Sequence, residues 1–368
     1  MTVKCRDVIK FMEDFAPPVL AEDWDNVGLM LGSREDEIKK VMVCLDVTPK
    51  VIEVAETEKV NLIVSHHPFI FKGLKRISRE DLKGKMIMDL IKKGINVYSA
   101  HTNLDVTDGG INQYLSGLLE LKNIRNLKSY KTERLLKLVV FVPKDSLDTV
   151  RDAMGKAGAG WIGNYSDCSF TSEGIGTFKP QEGTNPYIGT QGNLEKVEEY
   201  RIETVASEKN IDQVVSAMKS VHPYEEMAYD IYPLEISGKE YGMGCVGEVE
   251  NTMRAKTFAE VVKSKLNTGN VRVIGNLDKD IKKAAVFCGS FDNDIMGMAK
   301  SKADVLVTGD VKYHDALDML QMDMCVIDAG HFSTERIIVP RLVELLKQKF
   351  ETLEVISSNV EEDPFKYI

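Results

Sequence analysis

The sequence predicts an α/β protein: a two-part α/β core that places metal-capable side chains at strand carboxyl ends, with a ferredoxin-like α+β domain inserted between the two parts. Three observations predict it. Short β-branched runs alternate with helix-period segments in the first third of the chain and again in the last third, the grammar of βαβ units and a mainly parallel sheet. His66, His67, His101 and His331 all follow such runs, where open α/β sheets place ligands. Between the two outer thirds the order changes to strand, helix, strands, strand, helix, strand, that of a ferredoxin-like unit.

In the first third, VMVCLDVT (41–48) is an apolar, β-branched strand pattern, PKVIEVAETEKV puts proline at a helix start, and NLIVS (61–65) is a second buried strand. MIMDLIKKG is an amphipathic helix ended by Gly94, and INVYSAH is the next strand. The last third repeats the layout. KAAVFCGS (283–290) leads into a helix from Asp292 to about Lys300, ADVLVTGD (303–310) into KYHDALDML, and MCVIDAGH (324–331) into one long helix through STERIIVPRLVELLKQKF. Pro340 should kink that helix or mark a junction, because proline lacks the amide donor of interior turns.

The middle holds a strand and helix in LLKLVVFVPKDSLDTVRDAMGKAGAG, a glycine-rich, turn-rich stretch from Gly158 to Gly192, the strand VEEYRIETVAS, a helix over IDQVVSAMKSVHPYEE and the strand MAYDIYPLEI. The expected organisation is 1–127 for the first half of the core, 128–236 for the insertion and 237–368 for the second half.

Composition bounds the function. The chain has 368 residues, 43% hydrophobic and 28% charged, which suits a globular protein of two or three domains. A net charge of -10 argues against general nucleic-acid binding, which rests on clustered Lys and Arg, although Lys72 to Arg79 is locally basic. MTVKCRDVIKFMEDF carries charges through any would-be apolar core, so no signal peptide is expected, and no apolar run approaches the roughly 18 residues of a membrane span. A cytoplasmic location is expected. The six cysteines are far apart with no CxxC pair, which fits reduced, buried thiols.

Five metal-capable residues stand in three separate segments: His66 and His67 in SHHPFIFKG, Asp105 in AHTNLD, and His331 and Glu335 in AGHFSTE. Adjacent histidines on a regular strand point to opposite faces. Pro68 breaks the strand there, so the two rings can reach two ions a few ångströms apart with a carboxylate between them. His331 and Glu335, four apart at a helix start, share one face. Nitrogen and oxygen donors together suit zinc, iron or manganese rather than a thiolate-selected metal, and a two-metal hydrolytic site is chemically sound.

AEDWDNVGLMLG, SHHPFIFKGLKRI, AHTNLDVTDGGIN, VTGDVKYHDALD and DAGHFSTE together resemble the family of GTP cyclohydrolase 1 type 2 homologues. The middle segment, with HPYEEMAYDIYPL, resembles the insertion of its longer bacterial members, a domain similar to the PII and CutA proteins. The resemblance implies two divalent ions per subunit, held by His66, His67, Asp105, His331 and Glu335, with Glu335 bridging. It also implies a toroidal homohexamer and a small-molecule substrate, GTP, whose cyclic amidine C–N bonds are hydrolysed to give formate and 7,8-dihydroneopterin triphosphate. Two other functions use the same residues: a dimetal hydrolase acting on another nucleotide or small metabolite, and a non-enzymatic metal-binding regulatory scaffold.

His101, four residues before Asp105, and His314 in GDVKYHD are candidates for general acid and base, or for orienting a ligand. Asp310 is placed to orient His314 or a water, or to cap the following helix. HPYEE, with His222, Tyr224 and Glu225, is expected to be a packed turn, the alternative being a ligand pocket in the insertion, and Trp24 is expected to be a core anchor. GxGxxG and GxxxxGKS phosphate loops are absent from the sequence.

Overall fold

Pairing of apolar strands with parallel neighbours organises the chain. The computed structural model describes residues 2–366 and divides into two compact units, Met1–Lys131 with Tyr241–Ile368, and Thr132–Glu240. In chain order the elements are α1 (Cys5–Phe15), β1 (Gly28–Leu31), β2 (Lys40–Cys44), α2 (Pro49–Thr57), β3 (Leu62–Ser65), α3 (Leu82–Lys93), β4 (Asn96–Ser99), α4 (Thr102–Val106) and α5 (Ile111–Leu118). Then come β5 (Lys122–Pro143), α6 (Leu147–Lys156), β6 (Ser169–Phe178), β7 (Glu195–Ser207), α7 (Ile211–Val221) and β8 (Tyr229–Arg254). The rest are α8 (Ala255–Lys265), β9 (Arg272–Ile274), β10 (Asp280–Ser290), α9 (Met296–Lys302), β11 (Val305–Gly309), α10 (Tyr313–Gln321), β12 (Cys325–Asp328), α11 (His331–Glu335), α12 (Ile338–Lys349) and β13 (Glu354–Ser357).

The first unit holds a five-stranded sheet of order β1-β4-β3-β2-β13, parallel from β4 through β13 with β1 antiparallel at the edge. It also holds β10, β11 and β12, parallel in that order and flanked by antiparallel β9 and the end of β8. β3, β11 and β12 are buried along their whole length because both faces of each sheet are covered, which explains the continuous apolar runs. Strand alternation sorts these runs into layers. Val41, Val43, Leu62 and Val64 share one core with Ala284, Val286, Val305 and Val307. Met42, Ile63 and Val97 point the other way, into a cluster with Val51 and Ile52 of α2 and Ile87 and Leu90 of α3. Each such fully buried aliphatic side chain contributes about 1.5–3 kcal/mol.

Local signals behave as their chemistry dictates. Thr48 Oγ1 accepts from the Val51 amide to cap α2, and Gly94 closes α3 at φ 63°. The long helix expected from Ser333 to Phe350 is instead two helices. Pro340 lies in the first turn of α12, where its missing amide hydrogen costs nothing. The helix expected from Asp292 begins as a 3₁₀ turn, Asn293–Ile295, capped by the Asp292 carboxylate.

In the second unit β7 pairs antiparallel with both β5 and β6. Leu138, Val140 and Ile202 pack against Val150 and Met154 of α6 and Val214 and Met218 of α7. The glycine-rich stretch carries a ten-residue strand, β6, because β7 gives it a continuous partner, so pairing overrides poor β-propensity. α7 ends at Val221 rather than running through HPYEE, since Pro223 forces His222 to extended backbone, ψ 134°. No helix among the described residues is long and apolar enough to cross a membrane.

Candidate metal centre

Strands of the first unit deliver the histidines of the site from their carboxyl ends, and the short helices α4 and α11 that follow carry Asp105 and Glu335. His66 and His67 follow β3, His101 follows β4, Asp310 follows β11, and His331 opens α11 just after β12. His67, His331 and Glu335 form one group of metal-capable atoms, and His66, His67 and His101 another, each with all its ligand atoms within 4.8 Å of one another.

The orientation of the rings has a common cause. His66 Nδ1 lies 3.0 Å from the Ala100 carbonyl oxygen, which can only accept, so Nδ1 carries a proton and Nε2 is the nitrogen turned toward the cluster. His67 Nδ1 is held by Asp46 at 2.9 Å, His331 Nδ1 by Asp310 at 2.8 Å and His101 Nδ1 by Asp25 at 2.8 Å. Carboxylates and carbonyls in this position fix the tautomer and aim the other nitrogen, as they do behind metal-binding imidazoles.

What those nitrogens face is electron-rich. His67 Nε2 and His331 Nε2 lie 3.3 Å apart, and each is 2.9 Å from Glu335 Oε2. Glu335 Oε1 is 3.7 Å from His66 Nε2, which is also 3.7 Å from Asp105 Oδ1. His66 Nε2 and Asp105 Oδ1 are buried without a hydrogen-bond partner, a costly state for polar atoms. Converging lone pairs and carboxylates require positive charge between them, from protons or from a cation. The protonation preferences agree. Burial works against a charged His67, yet its bonds to Asp46 and Glu335 push it up to about 10. The same opposition, settled by Glu335 and Asp310, pushes His331 up to about 9. Burial alone would raise Glu335, but the surrounding imidazoles hold it well below the usual carboxylate range. Burial raises Asp105 despite His66 and His101.

Backbone economy admits Glu335 to this position. Gly289, in β10, has φ +71°, and a Cβ there would lie 2.1 Å from Glu335 Oε1. Glycine is needed on both counts, for the left-handed backbone and for the close approach.

This arrangement could hold a metal ion, and its relatives define its family. A family model for Duf34/NIF3 (NGG1p interacting factor 3) matches residues 3–364. The chain belongs to the Duf34/NIF3 family. It is similar to the GTP cyclohydrolase 1 type 2 homolog of Halalkalibacterium halodurans, 44% identical over 98% of each chain, and to that of Bacillus subtilis, 42% identical over 100% of this chain and 99% of the relative. Its fold is similar to that of a Bacillus cereus protein related to NIF3, with a TM-score of 0.89 and 40% identity over the full length of both chains.

The sites singled out from sequence distribute unevenly. His66, His67, Asp105, His331, Glu335 and His101 of this Duf34/NIF3 chain come together. His314 does not: it is exposed on α10 with its ring against Tyr313, outside both ligand groups. Asp310 serves His331 rather than His314. Trp24 is no core anchor, being 60% exposed. His222 is buried with Nε2 3.0 Å from the Phe141 carbonyl oxygen, and Tyr224 donates to Glu199. Sequence reasoning missed Asp25 and Asp46. Asp25 sits in AEDWDN and Asp46 just past β2, and an acid at a strand end beside the histidine strand is the signal that could have found Asp46.

Two outcomes follow from this geometry. Gly289→Ala should displace the Glu335 carboxylate and weaken metal binding by about tenfold or more, whereas Gly297→Ala, with open space around it, should leave it unchanged; metal content after dialysis against graded chelator measures both. Asp25 has a fully buried side chain. Burial opposes its charge, but bonds from His101 and Thr102 lower it to about 2, so the carboxylate stabilises the fold above its unfolded value and loses that effect as pH falls through about 4 to about 2. Asp25→Asn should therefore cost about 2 kcal/mol at pH 7, a deficit that closes toward pH 2, read from thermal midpoints across that range.

Proposed function

We propose that this chain is a dinuclear metal-dependent hydrolase that opens the guanine ring of GTP, giving formate and 7,8-dihydroneopterin triphosphate. The observation that carries the reading is the split of Glu335 between two donor sets. Oε1 faces His66, which in turn faces Asp105, and Oε2 faces His67 and His331. His66 and Asp105 would hold one ion and His67 and His331 the other, with Glu335 shared. The unpartnered His66 Nε2 and Asp105 Oδ1 fit that role. Nitrogen and oxygen donors suit zinc, iron or manganese. Bound divalent ions at such a site supply Lewis acidity and bring the pKa of water near neutral.

The chain's own residues would do the rest. His101, pinned at Nδ1 by Asp25, presents its other nitrogen for moving a proton to or from the ring being opened. Asp46 and Asp310 keep His67 and His331 in one tautomer through the cycle. The shared name of the relatives, GTP cyclohydrolase 1 type 2 homolog, supports GTP as the substrate. We read the inserted unit as a ferredoxin-like module akin to PII and CutA proteins, on its element order and its strand order β6-β7-β5-β8, and a cytoplasmic homohexamer follows from the family resemblance.

Turnover of GTP by protein reloaded separately with zinc, manganese and iron tests the reading, with formate as the readout. Formate release that needs metal and falls by at least about 100-fold in Glu335→Ala is the expected result. Full metal loading without formate under every metal would overturn it.

A further inference from the structure

A cavity of about 720 Å³ opens beside the metal-capable cluster, lined by Asp105, His331 and Glu335 from the cluster and by Trp24, Phe71 and His101. That volume is in the range of small-molecule sites. Trp24 and Phe71 stand out on its wall. They are 60% and 44% exposed, and their rings meet edge to face at 5.8 Å and 61°, so a flat face of each ring is not consumed by the other. Trp24 also lies 6.1 Å, centroid to centroid, from the ring of His101. Large aromatic side chains left open beside a set of reactive groups are a surface for a planar ligand.

The charges in the same cavity say which end of a ligand belongs there. Apart from the cluster's own Asp105 and Glu335, its lining carries four carboxylates, Glu22, Asp292, Asp294 and Asp315, against two ammonium groups, Lys128 and Lys312. Lys128 is already 3.7 Å from Asp294. Away from the cluster, a phosphate chain would meet net negative charge in this lining, with no glycine-rich loop to cradle it. Carboxylates instead accept hydrogen bonds from ring N–H and exocyclic amino groups, the donors that line the edge of an aminated purine.

We propose that Trp24 and Phe71 form a stacking platform for an amino-bearing heteroaromatic base, and that any phosphates the ligand carries contribute little to its affinity. The inference rests on the hydrolase reading of the neighbouring cluster and assigns the ring-binding side of that site. Stacking on aromatic side chains supplies the affinity, the carboxylates supply the choice of base, and the bound ring lies next to His101 and the metal-capable residues.

The chain has two tryptophans, Trp24 and Trp161, so Trp161→Phe makes Trp24 the sole indole reporter. In that protein guanosine and GTP should both quench the emission saturably, with half-saturation concentrations within about threefold of each other, and inorganic triphosphate should not quench it. Phe71→Ala should weaken guanosine binding by about tenfold. Absence of quenching by guanosine at millimolar concentration, or GTP binding more than about tenfold tighter than guanosine, would overturn the platform. The two readings fail separately. Saturable quenching without formate release sinks the cyclohydrolase and keeps the platform, whereas formate release whose KM for GTP is the same in Trp24→Ala sinks the platform and keeps the hydrolase.

Discussion

The carboxylate of Glu335 is the constraint around which the first unit is arranged. It is nearly buried, and three imidazole nitrogens gather on its two oxygens, one of them, His66 Nε2, also facing Asp105. A buried carboxylate is costly unless cations or donors compensate it. Here the compensating groups are themselves imidazoles whose Nδ1 protons are committed outward to Ala100, Asp46 and Asp310. The outer acceptors therefore determine the inner chemistry: by holding Nδ1–H, they leave Nε2 free for a proton or a metal ion.

Fold and site meet at the strand ends. Metal-capable residues follow β3, β4 and β12, and orienting acids follow β2 and β11, so the parallel registers of the two sheets determine which imidazole faces which carboxylate. Two glycines make the close approach possible. Gly289 leaves room for Glu335, and Gly309 lets β11 lie against the backbone of Gly289, Gly330 and His331, where a Cβ would come within 2.7 Å of several atoms. A side chain at either position would push the donors apart at the center of the cluster.

Much of this was legible in sequence because it is local. A β-branched run, a proline at a helix start and a glycine at its end carry their own instructions, and β2, α2, β3, α3 and β4 lie where those signals put them. The segments SHHP, AHTNLD and AGHFSTE named the residues that gather. The orienting partners were not legible, since Asp25 with His101 and Asp46 with His67 are separated by 76 and 21 residues and only tertiary packing chooses between such acids. Exposure of Trp24 was illegible for the same reason: an aromatic residue in a polar stretch suits a core or a cavity wall equally well until the chain closes. β6 shows the converse, where a partner strand overrode what its glycines advised.

The cluster is approached from two sides of differing character. On one side His67 and His331 border a cavity of about 590 Å³ that also takes in Asp46, Asp310 and the segment Asp363–Lys366. Glu361, just before that segment, accepts from the backbone amides of Leu45 and Asp46, tying it to the strand end that carries the acid behind His67. On the other side lie Asp105, His101 and Glu335 with the exposed aromatic pair. The first side thus presents the groups that orient the imidazoles, and the second presents the unpartnered Oδ1 of Asp105 together with His101. A ligand in the second cavity would meet Asp105, Glu335 and His101 together, whereas the first cavity is bordered by His67 and His331 without His101.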